Sequence, residues 1–295
     1  MSRLAVISDL HVDINQFDDN YYAKMVAHLS DQRVTHVHIA GDSANTKAVA
    51  LDVVNYFSHF FEVTFHWGNH EMADLVGEEE IEAYVDPQFL NFSHHKLNEN
   101  RYLIGMNGWY DYSFAKIPRD FSRFKQLVWY DRKITRALPD PELLAQITAR
   151  LDRYLATFKT QDQLILATHF VPHHTFVPDY RPPYEKWDQM NAFLGSEKIH
   201  EVLKKYPQVK QVVFGHTHRK LETKTIEGIT YHCRPLGYMY EWPETRKWLR
   251  EYTKKALPNM AAVKKGLQQH HEAYQKVKPK IFQQEFERSI SYFEF

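Results

Sequence analysis

Seven residues with metal-ligating chemistry stand out along the chain: Asp9, His11, Asp42, Asn69, His169, His216 and His218. They fall in the strings ISDLH, IAGD, WGNHE, LATH and VFGHTH, each an apolar or aromatic run that stops at Gly, Asp or His. Carboxylate oxygens, imidazole nitrogens and one amide oxygen form a mixed donor set. Such a set suits two divalent or trivalent ions better than one structural zinc. Asp9 and His11 are two residues apart, so in an extended segment they face the same side and reach one ion. Asp42 follows Gly41, which permits a sharp turn, and its two oxygens could bridge a pair of ions. Asn69 adds a neutral oxygen. His216 and His218 could serve different ions, with His169 completing the second.

Short apolar runs bounded in this way read as buried strands. Strands are expected at 4–8, 36–40, 63–67, 102–106, 164–168 and 209–214, with helices at 19–29 and 47–60 between the first three. This β-α-β rhythm implies parallel strands with right-handed crossovers. Ligand sites in open α/β sheets gather at the carboxyl ends of strands, which is where all seven residues lie. A helix is expected from Asp140, acting as its cap, with Leu144, Ile147, Leu151, Tyr154 and Phe158 on one stripe. Ser196 is expected to cap a helix running to Lys205, and 221–226 with 229–233 reads as a hairpin. Residues 109–138 are aromatic and irregular, and the Pro-rich stretch 171–193 reads as an ordered loop over the site.

The order D-x-H, G-D-x-x-D/N, G-N-H-D/E, a lone His after a strand, and G-H-x-H resembles the calcineurin-like metallophosphoesterase superfamily. Here those motifs read Asp9–His11, Gly41–Asn45, Gly68–Glu71, His169 and Gly215–His218. The resemblance implies a four-layer α/β-β/α sandwich over residues 1–240, with an insertion at about 109–160, followed by a helical C-terminal extension at 241–295. It implies a first ion on Asp9, His11, Asp42 and His218, and a second on Asp42, Asn69, His169 and His216. The ions would be manganese, iron or zinc. The activity implied is hydrolysis of a phosphate ester, as a phosphatase or phosphodiesterase, by a hydroxide bridging the two metals. His70 matches the family's catalytic histidine, with Asp42 as the other catalytic group. Family phosphatases often carry an acid where this chain has Asn45, so either another carboxylate, such as Glu71 or Asp111, partners His70, or His70 mainly binds phosphate. A nuclease or cyclic-nucleotide phosphodiesterase would use the same site. A non-catalytic metal-binding interaction module would show lost ligands, and none of the seven is lost.

Beyond the motifs, Asn45, Tyr110, His173 and Arg234 are candidate substrate contacts, Arg234 because guanidinium binds phosphate bidentately. Tyr110 belongs to an aromatic run, 109–112, that reads more readily as core. The chain of 295 residues is 43% hydrophobic, enough for a full core. Its zero net charge provides no field for nucleic acid or an anionic membrane, so a small or medium phosphorylated substrate is favoured. Ten Lys or Arg against two Glu between Arg246 and Lys280 read as the solvated face of helices. Their packed stripe would include Trp248, Tyr252, Val263, Leu267 and Tyr274. A lone cysteine, Cys233, and the lack of a signal peptide or membrane-length apolar run suggest a cytoplasmic protein. Oligomeric state is not legible, because the aromatic C-terminal strand could pair within or between chains.

Overall fold

The computed structural model describes residues 2–295. Its first third alternates as β1 (Arg3–Ile7), α1 (Asp19–Asp31), β2 (His36–Ala40), α2 (Lys47–Ser58) and β3 (Glu62–His66). Two short helices, α3 (Asn69–Met72) and α4 (Gly77–Glu82), lead to the hairpin β4 (Ser93–Lys96) and β5 (Arg101–Met106). Next come α5 (Phe121–Val128), α6 (Asp140–Leu155), β6 (Gln163–Thr168), α7 (Glu197–Leu203), β7 (Val209–Phe214), β8 (Leu221–Ile226) and β9 (Ile229–Cys233). The chain closes with α8 (Pro243–Thr253), α9 (Met260–Gln269), α10 (His271–Glu287) and β10 (Ser291–Glu294).

The strands form two sheets, in the orders β10-β1-β2-β3 and β4-β5-β6-β7-β9-β8. Adjacent strands β1, β2 and β3 are parallel, as are β5, β6, β7 and β9. Period-two alternation of side chains decides the layering. Leu4 and Val6 of β1 join Ala40, Leu103, Ile165, Ala167 and Val213 in a cluster drawn from both sheets. Ala5 and Ile7, on the other face of β1, join the larger cluster with helix residues such as Met25, Leu29 and Val53. The two sheets therefore pack face to face with helices outside, the expected four-layer arrangement. Every parallel strand of the core ends on the same rim, so the loops beyond those ends are brought together.

Several elements depart from the sequence expectation. Within 109–138 lies an eight-residue helix, α5, whose stripe of Phe121, Phe124 and Lys125 is too short to show a period. Asp140 does not cap α6; Pro139 holds the N-cap position. The Asp140 carboxylate is instead buried against Lys125 Nζ at 2.7 and 2.9 Å and Trp109 Nε1 at 2.8 Å. Tyr252, expected on the packed stripe, is exposed, although Val263, Leu267 and Tyr274 are buried. The last strand pairs within the chain, antiparallel to β1 and in register Arg3 with Glu294. Among the described residues, no helix is long and apolar enough to cross a membrane.

Candidate metal centre

Backbone hydrogen bonds stitch the strand-end loops side by side. Asp9 N donates to Gly41 O at 3.0 Å and His11 N to Asp42 O at 3.0 Å. Gly215 N donates to His169 O at 3.1 Å, and His216 N donates to the Asp9 carboxylate at 3.0 Å. Asp9, His11, Asp42, His216 and His218 all have left-handed backbone, with φ between 42° and 65°. This corrects the extended geometry expected for D-x-H and G-H-x-H. The paired residues converge because the chain coils left-handed beyond each strand, a conformation that costs non-glycine residues energy and gathers at functional sites. Gly41 is itself left-handed, and a Cβ there would lie 2.6 Å from Gly68 N and 2.8 Å from His169 Nδ1. Only glycine lets these two loops touch.

Glu71 holds the loop after β2. Its buried carboxylate accepts from Asp42 N at 2.9 Å, Ser43 N at 2.6 Å, Ala44 N at 3.1 Å and Gly68 N at 2.9 Å. Burial, and then the Asp42 charge, push Glu71 up to about 7.

The seven candidates form two donor sets that share Asp42. Asp9, His11, Asp42 and His218 offer one atom each to a common point, and Asp42, His169 and His216 do so beside it. In the first set, His11 Nε2 faces His218 Nε2 at 3.0 Å, and His218 Nε2 lies 3.4 Å from Asp9 Oδ1. In the second, His169 Nε2 lies 3.2 Å from His216 Nδ1 and 3.1 Å from Asn69 Oδ1. Asn69 is oriented by Asp131, whose carboxylate accepts from Asn69 Nδ2 at 2.8 Å and turns the amide oxygen towards His169. Asp42 Oδ2 is buried without a hydrogen-bond partner, 3.7 Å from His11 Nε2 and 3.3 Å from His169 Nε2. Ligands about 2.1 Å from one cation stand about 3.0–3.4 Å apart in octahedral or tetrahedral geometry. All the quoted donor pairs but Asp42 with His11 already have that spacing, and the orphaned Asp42 oxygen faces both sets. The residues fit a pair of cations.

The neighbouring charges set the histidines of this donor set apart. Burial disfavours charge on His218, yet hydrogen bonds to Asp9 and to Glu241, 2.8 Å from its Nδ1, lift it to about 10. Burial likewise opposes charge on His169, but the Asp42 carboxylate raises it to about 9. Burial and then the neighbouring His169 drive His216 down to about 3, and burial with His218 holds His11 well below its usual value. Burial would raise Asp42, but His169 and His70 keep it well below the carboxylate range. Each donor set thus pairs one histidine that favours its proton with one that disfavours it, and a cation would displace the proton of the first.

His70 stands at the mouth. Its Nδ1 meets Asn45 Oδ1 at 2.6 Å, its Nε2 meets the Tyr238 hydroxyl at 3.0 Å, and Tyr130 stacks on its ring at 4.2 Å. Glu71 and Asp111 are not its partners. Glu71 points into the loop after β2, and Asp111 pairs with Lys198 Nζ at 3.0 Å. The Asn45 oxygen can only accept, so the proton sits on Nδ1 and Nε2 accepts from Tyr238. Burial lowers His70, with Asp42 opposing.

A cavity of about 520 Å³ opens above Asp42, Asn69, His70, His216 and His218, walled by Val128, Trp129, Tyr180, Trp187, Met190 and Leu194. A second, of about 510 Å³, lies across His70, Tyr130 and Tyr238 and is lined by Asn45, Asp74 and Lys133. Of the candidate substrate contacts, Asn45 lines the second of these cavities, and Tyr110, His173 and Arg234 line neither. Tyr110 is fully buried, stacked on Trp109 at 4.6 Å, and is core. His173 is buried and pairs with Glu197 at 3.2 Å, and Arg234 lies outside both cavities beyond β9. Sequence reading missed Tyr238, Glu241, Tyr130 and Asp131. The only trace of the first two is their closeness to G-H-x-H in GYMYEW; the other two sit in the irregular aromatic stretch.

The calcineurin-like phosphoesterase family matches residues 2–220. A phosphopantetheinyl hydrolase from Mycobacterium tuberculosis superposes with TM-score 0.63 at 18% identity, covering 82% of this chain and 92% of that one. A dimetal phosphatase from Danio rerio gives TM-score 0.49 at 15% identity, over 78% of this chain and 86% of that one. No curated protein sequence matches the chain.

Proposed function

The chain belongs to the calcineurin-like phosphoesterase family, and from that premise we propose that it hydrolyses a phosphate ester with two cations held across Asp42. The observation that carries this reading is the pair of donor sets meeting at one orphaned carboxylate oxygen. Asp9, His11, Asp42 and His218 would hold one ion, and Asp42, Asn69, His169 and His216 the other; manganese, iron and zinc all suit these donors. Such a pair, when bound, lowers the pKa of a water and neutralises charge on the phosphoryl oxygens.

The chain's own residues do the rest. Left-handed loops and the Glu71 clamp fix the ligands, so little reorganisation is needed on binding. Burial, and then the Asp42 charge, push the Tyr238 hydroxyl far above its usual value, so it remains a neutral donor beside His70. In its imidazolium form His70 carries a proton on Nε2, and that is the proton it would pass to the departing oxygen, with Tyr238 holding the ring in place. The aromatic wall of Trp129, Tyr180 and Trp187 receives the organic part of the substrate and excludes water. A phosphopantetheinyl arm, the group named for the Mycobacterium tuberculosis hydrolase, is one candidate for that organic part.

A second cavity that shares His70, Tyr130 and Tyr238 with the first offers space for a second phosphate substituent, which favours a diester over a monoester. Single cations, Arg219 and Lys133, mark the two cavities, which is not the basic stripe of a nuclease. The single, buried thiol of Cys233 suits a reducing cytoplasm. Hydrolysis of p-nitrophenyl phosphate and bis(p-nitrophenyl) phosphate, without metal and with manganese, iron or zinc, tests the proposal. Metal-dependent turnover of either ester is expected, with the diester preferred; absence of turnover on both across all three metals would exclude it.

A further inference from the structure

At the opposite ends of the strands, three side chains from both sheets meet. His36 opens β2, Glu62 opens β3, and His95 lies on the edge strand β4. His36 and Glu62 are register partners in the parallel β2–β3 pair. The His36 and His95 rings stand edge to face at 4.4 Å, and His95 Nε2 lies 3.4 Å from Glu62 Oε1. One donor atom from each residue lies within 4.8 Å of the other two. His36 is 1% exposed. Its Nε2 is bonded to Thr64 Oγ1 at 2.8 Å, whereas its Nδ1 is buried with no hydrogen-bond partner. An orphaned buried polar atom is costly and calls for an explanation.

We propose that His36 Nδ1, His95 Nε2 and the Glu62 carboxylate bind a zinc ion, with water as fourth ligand, at a site separate from the strand-end centre. Two imidazoles and a carboxylate form a zinc donor set. With bonds of about 2.1 Å, a tetrahedral ion separates its ligands by about 3.4 Å, the spacing that His95 and Glu62 already have. The Glu62 side chain is 60% exposed and that of His95 25%, so both can turn to close the remaining distance to His36.

The surroundings of His36 complete the site. A metal-bound histidine passes its other N–H to an acceptor, which fixes the tautomer. Here His36 Nε2–H donates to Thr64 Oγ1. The Thr64 hydroxyl then donates to His38 Nδ1 at 2.9 Å, and His38 Nε2–H donates to His66 Nδ1 at 3.0 Å. Zinc on His36 therefore selects one direction for a buried chain of four polar side chains running between the sheets. Burial, and then His95, hold His36 down at about 3, so its lone pair is free at neutral pH. The ion would also tie β4 of one sheet to β2 and β3 of the other.

Zinc content measured by elemental analysis on the full chain, stripped with chelator and then dialysed against zinc, tests the site. Wild type should hold one equivalent more than Glu62→Gln and one more than His95→Ala, with phosphoester hydrolysis unchanged in both. Zinc should also raise the melting temperature more in wild type than in either variant. Both substitutions are at solvent-accessible positions, and His95→Gln serves if the alanine variant does not fold. The proposal is overturned if the zinc content of either folded variant equals that of wild type.

Discussion

Replacing Asn45 with Asp puts a carboxylate where His70 now finds an amide oxygen. Asn45 Oδ1 lies 2.6 Å from His70 Nδ1, so the new charge would sit about 4 Å from the centre of an imidazolium. At an effective dielectric of about 20, that pair is worth about 4 kcal/mol, equivalent to about three pH units as an upper limit. Asn45 lines a cavity, and solvent there screens the pair, which brings the expected rise in the His70 pKa to about 1–3 units. The wild-type histidine is lowered by burial, so the imidazolium is scarce at neutral pH. If His70 delivers its proton to the leaving oxygen, the alkaline limb of the kcat/KM profile in Asn45→Asp moves up by the same 1–3 units. The His70 pKa is read independently from its imidazole NMR signals, and the profile from hydrolysis of bis(p-nitrophenyl) phosphate. A raised NMR pKa with an unmoved alkaline limb would show that His70 only contacts phosphate. An unraised NMR pKa would show that the Asn45 contact does not govern its charge.

Further outcomes follow from the same geometry. Metal loading at pH 7 should release about two protons, one each from His169 and His218, which sit at about 9 and 10 without metal. Apparent affinity should then rise with pH, and titration in weakly buffered indicator solution measures the release. Tyr238→Phe removes the hydroxyl 3.0 Å from His70 Nε2 and should lower kcat about fivefold to tenfold, the worth of one hydrogen bond, without changing metal content. Lys125→Met leaves the buried Asp140 carboxylate without its 2.7 Å partner and should destabilise the fold by about 3–5 kcal/mol in urea denaturation. Acid should destabilise the metal-free protein through His36. Its folded pKa, about 3, lies below the unfolded value of 6.5, so the unfolded state binds the extra proton between those limits. Stability is thus full above pH 6.5 and falls as pH drops towards 3, by about 3 kcal/mol from this residue at pH 4.5. Urea denaturation at pH 7 and 4.5 in chelator, with a smaller loss in His36→Phe, checks the sign.

The strand ends were legible because apolar runs closed by Gly, Asp or His need no long-range information. β2, β7 and the β8–β9 pair match their expected limits. The motif residues gather on one rim because parallel topology leaves them no other place. Their backbone was not legible: nothing in D-x-H announces that Asp9 and His11 lie in left-handed turns. The partners that orient the ligands were also hidden. Glu241, Asp131 and Tyr238 reach the site from 23, 62 and 168 positions away from the residues they bind, and no local period records such a contact. Tyr110 was ambiguous for the same reason, since its burial depends on Phe170 and Phe193, distant in sequence. The histidines of β2 and β3 looked like ordinary strand residues, and only the packing of two sheets turns His36, His38 and His66 into one buried chain.

Sharing of Asp42 between two ions has a spectroscopic signature. Electron paramagnetic resonance of the manganese-loaded chain should show exchange-coupled manganese pairs, and Asp42→Asn should lose both the coupled signal and hydrolysis. A spectrum of isolated manganese ions at full loading, or a coupled signal that survives Asp42→Asn, would contradict a bridged pair.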